Sequence, residues 1–196
     1  MAYISIHPQD YFNTFLYTGN STGRTFTDAG FQPDWVWIKD RGNSRDHMVF
    51  DSVRTATKDL HSNNDDSETT IADTLTAFTS NGFTLGTDAT ASSALVNGNS
   101  NSYVSWNWKM GTTSGLSGGT ITPSAYSINA SAGMGIYKYT GTGSAGTIAH
   151  GLGAVPEVIF SKRTSHAGSW VTYHKSIGNA NEFYLNATDG QSAASA

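Results

Sequence analysis

The sequence predicts an all-β fold of β-sandwich or jelly-roll-like type, built from two related copies in tandem of which the second is incomplete. Three observations carry that expectation. Apolar residues alternate or bunch in short runs between clusters of Gly, Asn, Asp and Ser, the pattern of strands broken by turns. Charged residues make up only 13% of the 196, against 37% hydrophobic and 12% aromatic, a balance that closes a core but leaves no long solvated helix. The chain also matches itself: Pro33 stands over Pro156 and Lys39 over Lys162, each pair 123 residues apart.

The repeat sets the order of elements. Phe15-Leu-Tyr-Thr-Gly19 lies over Tyr137-Lys-Tyr-Thr-Gly141, 122 residues on, and one extra residue in the following loop of the second copy gives the later offset. Gly30 to Lys39 then lies over Gly153 to Lys162, His47-Met-Val-Phe50 over Trp170-Val-Thr-Tyr173, and Leu60-His-Ser-Asn63 over Phe183-Tyr-Leu-Asn186. Strands are expected at 13–18, 24–28, 34–40, 46–50, 82–86 and 102–109 in the first copy (1–110). In the second copy (132–196) they are expected at 134–140, 146–149, 157–162, 169–174 and 182–186. Residues 111–131, rich in Gly, Ser and Thr, read as a linker, and the tail from Asp189 as frayed. Ser52–Lys58 and Thr69–Leu75 read as short helical turns. The second copy shows no counterpart of the first copy's later strands, so either the chain is a fragment or that copy's sheet is completed by strands from elsewhere.

Within the strands, period two assigns faces. Trp35, Trp37 and Lys39 fall on one side and Val36 and Ile38 on the other, so that strand is apolar on both faces and belongs in the middle of a sandwich or against a second subunit. In Tyr103–Lys109, Val104, Trp106 and Trp108 share an apolar face, and Ser105, Asn107 and Lys109 a face expected to meet water.

Composition excludes several function classes. With a net charge of -4 and eleven Lys and Arg scattered singly, the chain has no basic stripe, and no nucleic-acid partner is expected. No window approaches the roughly 18 apolar residues of a membrane span. The opening Met1-Ala-Tyr-Ile-Ser-Ile lacks the basic start and apolar core of a signal peptide, so synthesis in a cytoplasm is expected. Without cysteine the fold rests on its core and its hydrogen-bond ladders.

Candidates for chemistry are few. Neither H-E-x-x-H, G-x-S-x-G nor a phosphate loop is present, and the six histidines are dispersed. No enzyme is expected; Asp51 and Asp59 could be imagined as the carboxylate pair of a polysaccharide depolymerase, but nothing selects them. Asp65, Asp66 and Glu68, beside Asn63 and Asn64, offer the oxygen ligands Ca²⁺ uses, without EF-hand spacing; a solvated turn is the plainer reading. Asp40 and Arg41 bracket a hairpin tip with Arg45 and Asp46, where they hold a ligand or merely pair. Trp35, Trp37, Trp106 and Trp108 are either core fillers or a stacking platform for a surface glycan. Val158 and Phe160 replace two of them in the second copy, which favours packing.

The opening segment through Tyr11-Phe-Asn-Thr14, Leu16-Tyr-Thr-Gly-Asn20, Gly30 to Arg41, Phe50-Asp-Ser-Val-Arg54, Phe83-Thr-Leu-Gly86 and Tyr103-Val-Ser-Trp-Asn-Trp-Lys109 resemble an uncharacterised duplicated domain. That domain occurs in tail-fibre and other virion structural proteins of bacteriophages infecting marine bacteria. Gly151-Leu-Gly-Ala-Val-Pro-Glu-Val-Ile159 and Trp170 to Ser176 look like its second half. The resemblance implies a structural β domain on a virion, made in the host cytoplasm, contributing to assembly and host attachment. It further implies a homo-oligomer, by preference a trimer, in contact with other virion proteins, and no settled catalytic residues or cofactor.

Overall fold

Strand-forming runs separated by Gly, Asn and Asp fold here into antiparallel ladders, and the chain is all-β. The structure is a computed structural model and describes residues 7–89 and 95–194. The first unit holds β1 (Phe12–Thr18), β2 (Arg24–Phe26), β3 (Trp35–Asp40), β4 (His47–Asp51), β5 (Lys58–His61), β6 (Thr69–Thr70), β7 (Leu75–Thr79), β8 (Gly82–Leu85) and β9 (Ser102–Trp108). After it come β10 (Ala125–Asn129), β11 (Met134–Lys138), β12 (Val158–Ser161), β13 (Val171–His174), β14 (Asn181–Tyr184) and β15 (Ser192–Ala193). Among the described residues the only helical pieces are single 3₁₀ turns at Pro8–Asp10 and Lys175–Ile177, and no helix is long and apolar enough to cross a membrane.

The first unit is sandwich-like. A six-stranded sheet, in the order β1-β9-β3-β4-β5-β6, faces a three-stranded sheet in the order β2-β8-β7. Between them lie Tyr17, Val36, Ile38, Met48, Phe50 and Tyr103 from the larger sheet and Leu75, Phe83 and Leu85 from the smaller. Phe26 joins the sheets, its ring 4.9 Å from that of Phe83 and 4.8 Å from that of Tyr17. With no disulfide in the chain, burial of these rings and aliphatic side chains is the main favourable term, about 1.5–3 kcal/mol for each fully buried side chain.

The duplication is present in three dimensions. β3, β4, β5 and β6 recur 123 residues later as β12, β13, β14 and β15, joined in the same order. Their side-chain bonds recur too. The His47 N–H donates to Asn63 Oδ1 at 2.7 Å, and the Trp170 N–H to Asn186 Oδ1 at 2.7 Å. Lys39 Nζ donates to the Arg45 carbonyl at 2.8 Å, and Lys162 Nζ to the Gly168 carbonyl at 2.6 Å. Gly30 and Gly153 lead into β3 and β12 with φ of +82° and +75°, a backbone region that favours glycine.

Several local expectations are corrected. Ser52–Lys58 is not helical: Asp51 Oδ1 accepts the Arg54 N–H, and Thr55 and Thr57 take φ of 79° and 68°, which no α-helix holds. Thr69–Leu75 is not helical either, because Thr69 and Thr70 pair with β5 and Leu75 opens β7. At 146–149 only Ile148 is bridged, to Gly119, so no full strand forms. The segment 111–131 is not a free linker: β10 pairs with β11, and Ser127 Oγ donates to Asp34 in the first unit. The tail pairs as β15 with β14, and the Ala194 N–H reaches the Ala180 carbonyl at 2.9 Å.

The largest correction concerns β9. Ser105 and Asn107 do not meet water; both are fully buried on the inner face, while Trp106 and Trp108 are half-buried on the outer one. Asn107 Nδ2 donates to the Asn13 carbonyl and to Ser105 Oγ, which offsets part of the cost of burying these groups. Ser105 sits in register between Phe15 and Ile38, and its small volume leaves room for the rings above.

Candidate functional site: the aromatic sheet face and the junction beside it

The outer face of the six-stranded sheet is built by cross-strand pairing. β9 places Trp108 opposite Trp35 and Trp106 opposite Trp37, and on its other side sets Phe12 opposite Trp108. Directly opposed residues of antiparallel strands point to the same face, so five aromatic side chains gather there. The Phe12 and Trp108 rings stand 5.0 Å apart, and Trp37 meets Trp106 edge-on at 6.1 Å. All five are half-buried, leaving ring area open to solvent. Leu16 extends the face at 68% exposure. Ring edges and faces of this kind bind apolar sugar faces and protein side chains alike, without moving a proton or forming a bond.

The far side of this face is closed by the second unit. Trp170 packs on Val49 and Leu60, with Trp35, Trp37 and Leu185 around it, and its indole N–H donates to the His61 carbonyl at 2.7 Å. The acidic loop runs along the same junction. The Asp65 carbonyl accepts from the Gly168 N–H at 2.7 Å and from Lys162 Nζ at 3.0 Å, and the Glu68 N–H donates to the Thr164 carbonyl.

His61 lies inside that acidic surround, with Nε2 3.1 Å from Asp59 and Nδ1 3.6 Å from both Asp46 and Asp66. Burial alone lowers its pKa; the hydrogen bond to Asp59 and the three negative charges outweigh it and hold the group above its ordinary value. Lys162 moves down, since its burial exceeds the help from Asp65 and Asp66.

The structure brings Trp35, Trp37, Trp106 and Trp108 together and leaves the other candidates elsewhere. Asp40 is buried and tied into its hairpin, accepting from the Gly42 and Asn43 N–H groups at 2.8 and 2.9 Å. Arg41 is exposed at the same tip. Glu68 turns toward Arg54 at 3.3 Å and Lys58 at 3.8 Å, and Asp66 toward His61. Among the described residues no group of three or more His, Asp or Glu is placed to hold a metal ion. Asp51 and Asp59 are both buried and bonded, Asp51 to Arg54 and Asp59 to His61 and Thr69. Sequence reasoning passed over Phe12 and Trp170, because only long-range pairing and docking bring them to this face.

A family model described as a domain of unknown function (DUF7483) matches residues 7–196. The chain belongs to this family. No curated protein and no solved structure matches it. Within the DUF7483 match lie both units, the aromatic face and the junction, so all of the geometry above is family sequence.

Proposed function

We propose that the chain is a non-catalytic virion structural protein, a tail-fibre or virion-surface component of a bacteriophage that contributes to assembly and host attachment. The observation that carries this reading is the partly exposed face of Phe12, Trp35, Trp37, Trp106 and Trp108 on a twice-used β scaffold without a disulfide. It supplies contact area and no reacting group. The motif order quoted for tail-fibre domains supports the same assignment, and a closed homo-oligomer, a trimer by that likeness, follows from it.

The experiment is retention of the labelled chain on host cells, compared with the Trp106→Ala variant. The chain is retained and the variant is retained at least ten-fold less. Equal retention of both, or none by either, overturns the attachment role of this face.

A second reading, a lectin-like glycan-binding module, is favoured by the pairing of Trp37 with Trp106, since adjacent indoles form a platform for a sugar ring. It is tested by titrating host polysaccharide against tryptophan fluorescence. Saturable change lost in Trp106→Ala supports it, and a flat response across a glycan panel removes it.

A further inference from the structure

The two units differ at one place in the sheet. In the first, β3 is paired on both edges, with β4 and with β9. In the second, its counterpart β12 is paired with β13 alone, and among the described residues no strand lies on its other edge. The other neighbour of β9 is β1, whose place in the repeat is taken by β11; β11 pairs with β10 and is not joined to β12.

The side chains of β12 are more exposed than their counterparts in β3, which lie under the three-stranded sheet as well as beside β9. Val36 is fully buried, whereas Ile159, 123 residues on, is 48% exposed, with Val158 at 43% and Phe160 at 48%. Asp34 donates its N–H to the Trp108 carbonyl and accepts the Met110 N–H at the end of β9. Its counterpart Glu157 stands in solvent and pairs only with exposed Lys175 at 2.6 Å.

Proteins normally blunt such an edge with charge, proline or a bulge. Val158-Ile-Phe-Ser161 contains none of these and pairs with β13 in unbroken register. The nearest cation, Lys162, is turned back to the Gly168 and Asp65 carbonyls and does not guard the edge.

We propose that the free edge of β12 is a strand-acceptor site, filled by an antiparallel strand with the chemistry of β9. Transposing the β3·β9 register places large apolar residues of that strand opposite Val158 and Phe160, and small polar ones opposite Ile159 and Ser161. The backbone ladder supplies affinity and the alternating side chains supply selectivity. The donor is not β9 of a second molecule folded as this one is, because β9 is already paired on both edges. This inference stands whether or not the protein is a virion component.

The probe is a labelled synthetic peptide of the Asn101–Met110 sequence, titrated into the full chain beside a scrambled peptide of the same composition. Saturable binding of the native-order peptide is expected, weakened at least ten-fold by Ile159→Lys. That variant replaces a side chain already half in water, and its circular dichroism reports whether it is folded; Phe160→Lys serves as the second variant. Hydrogen exchange on the complex is expected to slow at the edge-facing amides of β12. Four results would overturn the proposal: no saturable binding, equal binding of the scrambled peptide, protection at the free edge of β1 instead, or self-association of the chain through β12 that excludes the peptide.

Discussion

Replacing Trp170 with alanine tests whether the second unit is held on the first. The side chain is 4% exposed and lies on Val49 and Leu60 of the first unit's sheet. A buried indole removes about 150–250 Å² from water, worth about 4–6 kcal/mol at 25 cal/mol per Å², and Trp→Ala changes in cores cost about 3–5 kcal/mol. Trp170→Ala is therefore expected to lower stability by about 3–5 kcal/mol. Trp170→Phe keeps most of the ring but forfeits the indole bond to the His61 carbonyl, which is then left unpaired, and should cost about 1–3 kcal/mol. Urea unfolding followed by circular dichroism measures both. One transition in the native chain should split into two in Trp170→Ala, as the second unit loses its seat. A loss below about 1 kcal/mol for alanine, with the single transition kept, would refute the argument that Trp170 joins the units.

Three further outcomes follow from the same geometry. Trp37 Nε1 is buried with no hydrogen-bond partner among the described residues, so Trp37→Phe removes an unpaired donor and should change stability by less than about 1 kcal/mol, in contrast to Trp170→Phe; thermal unfolding of the two variants side by side decides this. Arg54 and Asp51 form a buried pair at 2.5 Å, so Arg54→Met should cost about 3–5 kcal/mol, with part recovered by adding Asp51→Asn in the same unfolding assay. His61 has its pKa raised in the folded state, so its stabilising contribution is complete below its ordinary value of 6.5 and is lost as pH rises through the folded value. The stability difference between the native chain and His61→Gln should therefore shrink from acid to alkaline pH, and a difference that grows instead would reverse the sign of the electrostatics assigned to this junction.

The parts of the fold legible in the sequence are those fixed by local pattern. Pro33 and Pro156 mark the starts of β3 and β12, and the alternation of Trp35 to Lys39 assigns its faces correctly. The duplication is legible because matched packing demands matched apolar positions, and it recurs down to the Lys39 and Lys162 bonds. What fails is what depends on distant partners. β6 and β15 are two residues long and exist only through the strand beside them, so no periodicity announces them. The faces of β9 read in reverse because burial there is decided by the sheet laid over Ser105 and Asn107, and a Ser/Asn face over a Trp face looks solvent-facing in isolation. At the candidate site the four tryptophans were nameable, but their assembly needs β9 to lie between β1 and β3, a pairing across nearly the whole first unit. The acidic run was visible as composition only; its use in bonds to the second unit through the Asp65 carbonyl and Glu68 N–H is backbone chemistry, which residue identity does not encode.

The most direct test of the virion assignment is mass spectrometry of purified, nuclease-treated particles of a phage that encodes this chain. Peptides from both units should be recovered from intact particles in an amount that corresponds to a fixed, symmetric copy number. Recovery of the chain from the infected-cell lysate with none in the particles would contradict the account.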